Sequence, residues 1–257
     1  MTSSAFSPDQ YADAYPPGGE HGYWALVRNR LIADALDKAR QAGLWEGAGP
    51  ILEIGCGPGI VVSALRQRGF DAWGVDLAEP PVLADVAPYV SLGRDAGDLA
   101  PAFRERVSAI LLLDVIEHIG EPVPFLEAVL KSFPRCRFFV VTVPARAEVW
   151  SNYDEYYGHH RRYDRPALAR TLSEAGLAAG TLRYFFRPLY AAALLLALAR
   201  RKRAVLMKSP RRLGAHRALA AVLYGIERML QPVPALPGLS LMASAVRPLP
   251  RDAASVP

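Results

Sequence analysis

The sequence predicts an α/β fold: a doubly wound parallel sheet with helices on both faces and a helical insert near its C-terminus. Three observations carry that prediction. Short apolar runs alternate with helical periodicity between residues 51 and 143, and a glycine turn, Gly55-Cys56-Gly57-Pro58-Gly59, joins the first run to a helix. Residues 187–237 then break the pattern with a basic, apolar composition before a last apolar run at 239–246.

The elements follow in chain order. Residues 1–20, rich in Ser, Pro and Gly, read as a loosely ordered N-terminus, and 21–257 as a single domain. Residues 22–40 read as a helix, because Trp24, Val27, Leu31 and Leu36 form an apolar stripe at helical spacing. Strands are expected at 51–54 and 71–76. Pro80, Pro81 and Pro88 break the chain before a short strand at 89–92. A buried strand at 107–113 ends at Asp114, a helix covers 122–133, and a strand at 137–143 stops at Pro144. Asp164 caps a helix that has Pro166 in its first turn and Gly176 as its stop. Strands at 181–186 and 239–246 complete the sheet. Strands alternating with helices require right-handed crossovers between parallel neighbours.

The chain has 257 residues, of which 51% are hydrophobic, enough for a substantial core without metal or disulfide staples. Its two cysteines, Cys56 in the glycine turn and Cys136 before a strand, suit a reducing compartment. Residues 1–15 lack a basic segment followed by an apolar run, so a cytoplasmic protein is expected. Charge is divided unevenly: the net is −6 over 1–179 and +11 over 180–257. Such asymmetry points to an anionic partner at the C-terminal end.

The glycine turn suits a nucleoside-bearing cofactor. Its glycines let the backbone approach a ligand closely. The amides that open the next helix favour an anion, and Asp76, ending the second strand, can accept both hydroxyl protons of a ribose. A dinucleotide fingerprint would need glycine at position 60, where this chain has Ile60. With glycines at 55, 57 and 59 preceded by Glu53, the turn resembles motif I, (D/E)-x-G-x-G-x-G, of class I S-adenosylmethionine (SAM)-dependent methyltransferases.

The resemblance extends further. Asp114-Val115-Ile116-Glu117-His118 is similar to the D-x-x-E-H block of the ubiquinone-biosynthesis-like group (methyltransferase types 11, 12 and 23), and Pro144 with Gly158-His159-His160-Arg161-Arg162-Tyr163 to its P…GHxRRY region. His21, Tyr23, Trp24 and Arg28 resemble an N-terminal helix of relatives in glycan and lipid pathways. Together these imply a Rossmann-like seven-stranded sheet of order 3-2-1-4-5-7-6 with strand 7 antiparallel, and SAM as cofactor. The turn Gly55, Cys56, Gly57, Pro58, Gly59 would then run beneath the cofactor, with Glu53 and Asp114, followed by Val115, near its methionine end. Asp76, with Leu77 beside it, would hold the ribose. Asp95, in competition with Asp98, would meet the adenine amine.

The implied reaction is methylation of a small, lipid-linked, quinone-like or glycan-pathway acceptor, at oxygen ahead of nitrogen or carbon, with His118 or His159 as general base. Two other readings of the same block stand beside it. Glu117 and His118 could merely cap and pair at a helix start, or Asp114, Glu117 and His118 with His159 or His160 could hold a divalent metal, as in metal-dependent relatives that carry Glu where this chain has Asp114. The site is assigned without a metal. Arg161, Arg162 and Arg165 beside Tyr163 either grip an acidic acceptor or form a solvated loop. Two rivals of another class remain: a nicotinamide-dependent oxidoreductase and a non-catalytic SAM-binding subunit.

The insert contains 188–199, almost purely apolar, followed by Arg200-Arg201-Lys202-Arg203. Twelve helical residues rise only about 18 Å, against a hydrocarbon core of about 30 Å. Residues 188–232 therefore read either as a cap on the sheet or as a surface for an anionic membrane, which would place the protein peripherally on a membrane's inner face. Exposed aromatics and glycines do not interleave with the basic run, so no nucleic-acid partner is expected. The sequence leaves the oligomeric state open.

Overall fold

The computed structural model describes residues 7–199, 201–205, 209–233 and 236–248. Seven strands form one sheet in the order β3-β2-β1-β4-β5-β7-β6: β1 (Ile51–Ile54), β2 (Ala72–Val75), β3 (Val90–Ser91), β4 (Ala109–Leu113), β5 (Phe138–Pro144), β6 (Ala178–Phe185) and β7 (Ser240–Val246). The first five are parallel, and β7 runs antiparallel between β5 and β6. Ile51 pairs with Ala72 on one side and Ala109 on the other, so β1, β2 and β4 end level with one another. Strands β1 and β4 are buried at every residue. Covering both faces of a parallel sheet demands such continuous apolar runs.

Each face has its own core. One packs Val27, Leu31, Ile32 and Leu36 of α2 (Tyr23–Gln41) and Val61, Val62 and Leu65 of α3 (Ile60–Arg66) onto the sheet. The other packs Leu126, Val129 and Leu130 of α5 (Pro122–Ser132) with Leu168 and Leu172 of α7 (Arg165–Glu174); the four-residue α4 (Pro101–Arg104) precedes β4. Each fully buried aliphatic side chain contributes about 1.5–3 kcal/mol relative to exposure. Asp164 caps α7 as expected, its side chain accepting from the Ala167 amide, and Gly176 adopts φ +85° after the helix.

Boundaries differ where apolar patterning is weak. Strand β6 begins three residues earlier than the sequence suggests, because its first half lies exposed at the sheet edge. The expectation of a loosely ordered N-terminus is corrected over residues 7–20. There α1 (Pro8–Ala14) forms with a capping box between Ser7 and Gln10. Gln10 Nε2 donates to the Tyr156 carbonyl at 2.6 Å, and Tyr156 hydrogen-bonds Asp13. A seven-residue helix is unstable alone, so these long-range contacts hold it. Residues 1–6, Arg200, Lys208 and the tail from 249 lie outside the described residues.

The insert forms α8 (Arg187–Leu198) and α9 (Leu213–Met229). Helix α9 lies on α2, burying Ala220, Leu223 and Glu227. Glu227 accepts from the Arg187 amide at 2.9 Å and from its guanidinium at 2.5 Å, which ties α8 to α9. Among the described residues no helix is long and apolar enough to cross a membrane.

Candidate active site

The ends of β1, β2 and β4 lie level, at the edge where open parallel sheets form their ligand crevice. Gly55, Gly57 and Gly59 have φ of +77°, +53° and +82°, backbone that side chains with a Cβ resist. A Cβ at Gly55 would lie 2.9 Å from Val115, and one at Gly57 would lie 3.1 Å from the Tyr15 ring. The Gly57 amide donates to Asp76 Oδ2 at 2.8 Å, so the turn and the end of β2 are joined directly. Cys56 turns inward: its sulfur fills the space that a Cβ at Gly74 would need. Only its backbone can serve the crevice, and Pro58 is likewise buried. Leu77 is 45% exposed beside Asp76.

Four charged groups meet at the floor. Arg28 Nη1 from α2 pairs with Asp114 Oδ2 at 2.8 Å, and the Thr142 hydroxyl donates to Asp114 Oδ1 at 3.2 Å. Asp114 holds φ +57° at the end of β4. Such left-handed strain costs about 1–3 kcal/mol and persists where the surroundings enforce it. Burial pushes Glu53 up to about 8, against the pull of Arg28 and with a further push from Asp76 and Asp114. Glu53 Oε2 and Arg28 Nε are buried without hydrogen-bond partners. A backbone cradle beside orphaned acid and guanidinium atoms fits an amino-acid-bearing nucleoside such as SAM.

Tyr11 and Tyr15, which sequence reasoning missed, close over this cradle. The Tyr11 hydroxyl donates to Asp76 Oδ1 at 2.7 Å, the same atom that accepts from the Ala78 amide. Asp95 is exposed and caps the turn at Ala96–Asp98, its Oδ1 accepting from the Gly97 amide at 2.7 Å.

A second cluster lies one turn beyond Asp114. Glu117 is fully buried, both carboxylate oxygens lack a hydrogen-bond partner, and burial raises its pKa well above the usual carboxylate range. His118 Nε2 lies 3.9 Å from Glu117 Oε1. Burial and the neighbouring His159 push His118 down to about 3, although contacts with the backbone of Tyr157 and Gly158 oppose this. The His118 and His159 rings meet edge to face at 4.8 Å.

Asp154, buried in α6 (Asn152–Tyr156), accepts from Arg162 Nε at 2.8 Å and hydrogen-bonds His159 Nδ1 at 2.8 Å. Burial pushes the Asp154 carboxyl up, but His159 and Arg162 together hold it below its ordinary value. A buried carboxylate thus orients one histidine and leaves Nε2 for chemistry. Arg162 also donates to the Ala145 carbonyl, so it serves Asp154 and is not free to grip an acceptor. Arg161 bonds the Gly120 carbonyl.

One ligand atom each from Glu117, His118 and His159 lies within 4.8 Å of the others. Asp114, engaged by Arg28, and His160 do not join that group. One carboxylate with two imidazoles is a donor set suited to a divalent transition metal, and the orphaned oxygens of Glu117 fit a cation.

The sheet order, the three left-handed glycines and the acids ending β1, β2 and β4 define a class I SAM-dependent methyltransferase site. The chain belongs to the methyltransferase-domain family, whose model matches residues 23–181. The ubiquinone biosynthesis O-methyltransferase of Pseudomonas entomophila is 29% identical over 85 residues, 30% of this chain and 37% of that protein. Its counterpart from Caulobacter vibrioides is 29% identical over 128 residues, 46% of this chain and 50% of that protein. The chain therefore spans half or less of the length of these relatives. Among solved structures, an Archaeoglobus fulgidus SAM-dependent methyltransferase matches with a TM-score of 0.47 and 14% identity, over 85% of this chain and 94% of that one. Magnesium protoporphyrin IX methyltransferase from Synechocystis matches with a TM-score of 0.48 and 11% identity, over 87% and 85%.

Proposed function

We propose that the protein transfers the methyl group of SAM to a hydroxyl oxygen of a small lipid-linked, quinone-like or glycan-pathway molecule. The observation that carries this reading is the Asp154–His159 dyad, whose imidazole meets His118, one turn beyond the strand-end acid Asp114, edge to face at 4.8 Å. The names of the curated relatives support oxygen as the methylated atom. SAM, when bound, supplies a sulfonium-activated methyl group open to in-line attack.

The chain's own residues do the rest. The glycine turn and Asp76 hold the nucleoside, while Arg28 and Glu53 orient the amino-acid end. His159, fixed at Nδ1 by Asp154, takes the acceptor proton at Nε2. His118 stays neutral at physiological pH and acts as a poor base, so His159 is the better of the two candidates. Tyr11 and Tyr15 exclude water from the cradle.

The orphaned oxygens of Glu117 favour one alternative. A divalent cation held by Glu117, His118 and His159 would occupy Nε2 of His159 and acidify the acceptor hydroxyl in place of that base. Activity that survives chelation would remove it.

Helix α8 and the basic run support collection of the acceptor at an anionic membrane surface. Leu195 and Leu198 are 68% and 73% exposed, and Arg201, Lys202, Arg211, Arg212 and Arg217 are exposed nearby in sequence. Apolar side chains beside a polybasic stretch suit a bilayer interface. Purified protein incubated with methyl-labelled SAM and a membrane-lipid extract should label the organic phase. A protein that binds SAM but labels no fraction would instead be a non-catalytic subunit.

A further inference from the structure

A cavity of about 300 Å³ opens between α8, the loop before α6 and the basic segment that follows α8. That volume is at the lower end of small-ligand sites. Trp150 and Asn152 line one wall, the small side chains of Ala193 and Ala197 another, and Arg201, Lys202 and Arg203 the third. None of these three cations makes an ion pair among the described residues. The one acid in the lining, Glu148, is already engaged by Arg146 at 2.5 Å and by the Tyr190 hydroxyl at 2.8 Å.

Arg203 is held in place. Its amide and carbonyl pair with the Asn152 side chain at 2.8 and 3.0 Å, and its guanidinium lies 5.1 Å above the Tyr153 ring. Its Nη1 is buried without an acceptor. Burial and the nearby Arg162 both act to discharge it. Three cations around a cavity, one of them half-buried and lacking an acceptor, call for an anion with several oxygens. The Tyr153 ring stands 6.2 Å from that of His159, so a single aromatic ring lies between Arg203 and the proposed base. The same helix that forms the cavity wall turns Leu195 and Leu198 outward.

We propose that this cavity is a phosphate-binding subsite, and that its occupant is the phosphate or diphosphate head of an aliphatic amphiphile whose tail lies along α8. The proposal rests on the methyltransferase reading and narrows its acceptor to a phosphate-bearing lipid, or else identifies the lipid headgroup that seats the enzyme.

The test uses the full chain and dodecyl phosphate below its micellar concentration, with inorganic phosphate and dodecyl maltoside as comparisons. Calorimetry and the fluorescence of Trp150, isolated by subtracting a W150F variant, should report dodecyl phosphate binding. The double variant R201Q/K202Q, altered at two exposed positions, should bind it at least tenfold more weakly while keeping SAM affinity unchanged. Inorganic phosphate should bind more weakly than dodecyl phosphate.

If phosphatidylglycerol vesicles displace dodecyl phosphate, the site takes bilayer headgroups. If vesicle-bound protein still takes up dodecyl phosphate, the site takes the acceptor. Equal binding of dodecyl phosphate and dodecyl maltoside, or an affinity unmoved in the double variant, would overturn the subsite. Wild-type protein that fails to bind SAM would sink the methyltransferase reading and leave the phosphate result standing.

Discussion

At the cofactor end of the crevice the work is done by backbone: three glycines at positive φ bring a turn against the ends of β1 and β2. At the proposed acceptor end it is done by side chains, the buried Glu117 and Asp154 with the largely covered His118 and His159, supplied by two segments more than thirty residues apart. The first arrangement depends on local spacing and tolerates little substitution. The second depends on hydrogen bonds formed only after folding, so it can be changed one group at a time. The two ends should therefore fail differently when mutated.

The largest effect is expected at the acceptor end. His159→Ala should lower kcat by about 10²–10⁴-fold, the range typical of a lost general base, with SAM affinity unchanged. Asp154→Asn should reproduce much of that loss by freeing the ring. A matching fall in SAM affinity would erase the separation between the ends.

Next comes Glu53, whose raised pKa links the cofactor end to stability. Its carboxyl titrates near 4.5 unfolded and about 8 folded, so the folded state holds the proton more tightly. Its contribution is complete below about pH 4.5 and is lost as pH rises through 8, an effect on the order of a few kcal/mol. Glu53→Gln should flatten the decline in melting temperature between pH 5 and 8.5, and an unchanged decline would contradict the burial argument.

Asp76→Ala should weaken SAM binding by about 1–3 kcal/mol through lost charged hydrogen bonds, without touching the His159 dyad. The smallest change is Tyr11→Phe. It removes one competitor for Asp76 Oδ1 and should strengthen SAM binding by about 0.5–1.5 kcal/mol, as calorimetry would show. Weaker binding would mean that Tyr11 contacts the cofactor instead of competing with it.

The difference between the ends also explains what the sequence reveals. The strand positions, the glycine turn, Asp76 and the Asp164 cap are legible because each depends on neighbours in sequence, whereas the strand order is reached only through the family resemblance. Tyr11 meets Asp76 across 65 residues, and nothing in its local context announces that contact. A partial signal existed in Ser7-x-x-Gln10, a capping box that marks a helix where composition alone suggests disorder. Asp154 was equally hidden, in a tyrosine-rich stretch whose Ser151-x-x-Asp154 box is the only local cue. Arg162 was legible as a cation but not as an inward one, because burial against Asp154 follows from the tertiary fold.

The central claim is that the cradle formed by Gly55, Gly57, Gly59, Glu53 and Asp76 binds SAM. Calorimetric titration of the full chain with SAM, and separately with NAD, tests it most directly. Saturable one-to-one binding of SAM, with none of NAD, is the predicted result; binding of NAD without SAM would contradict it.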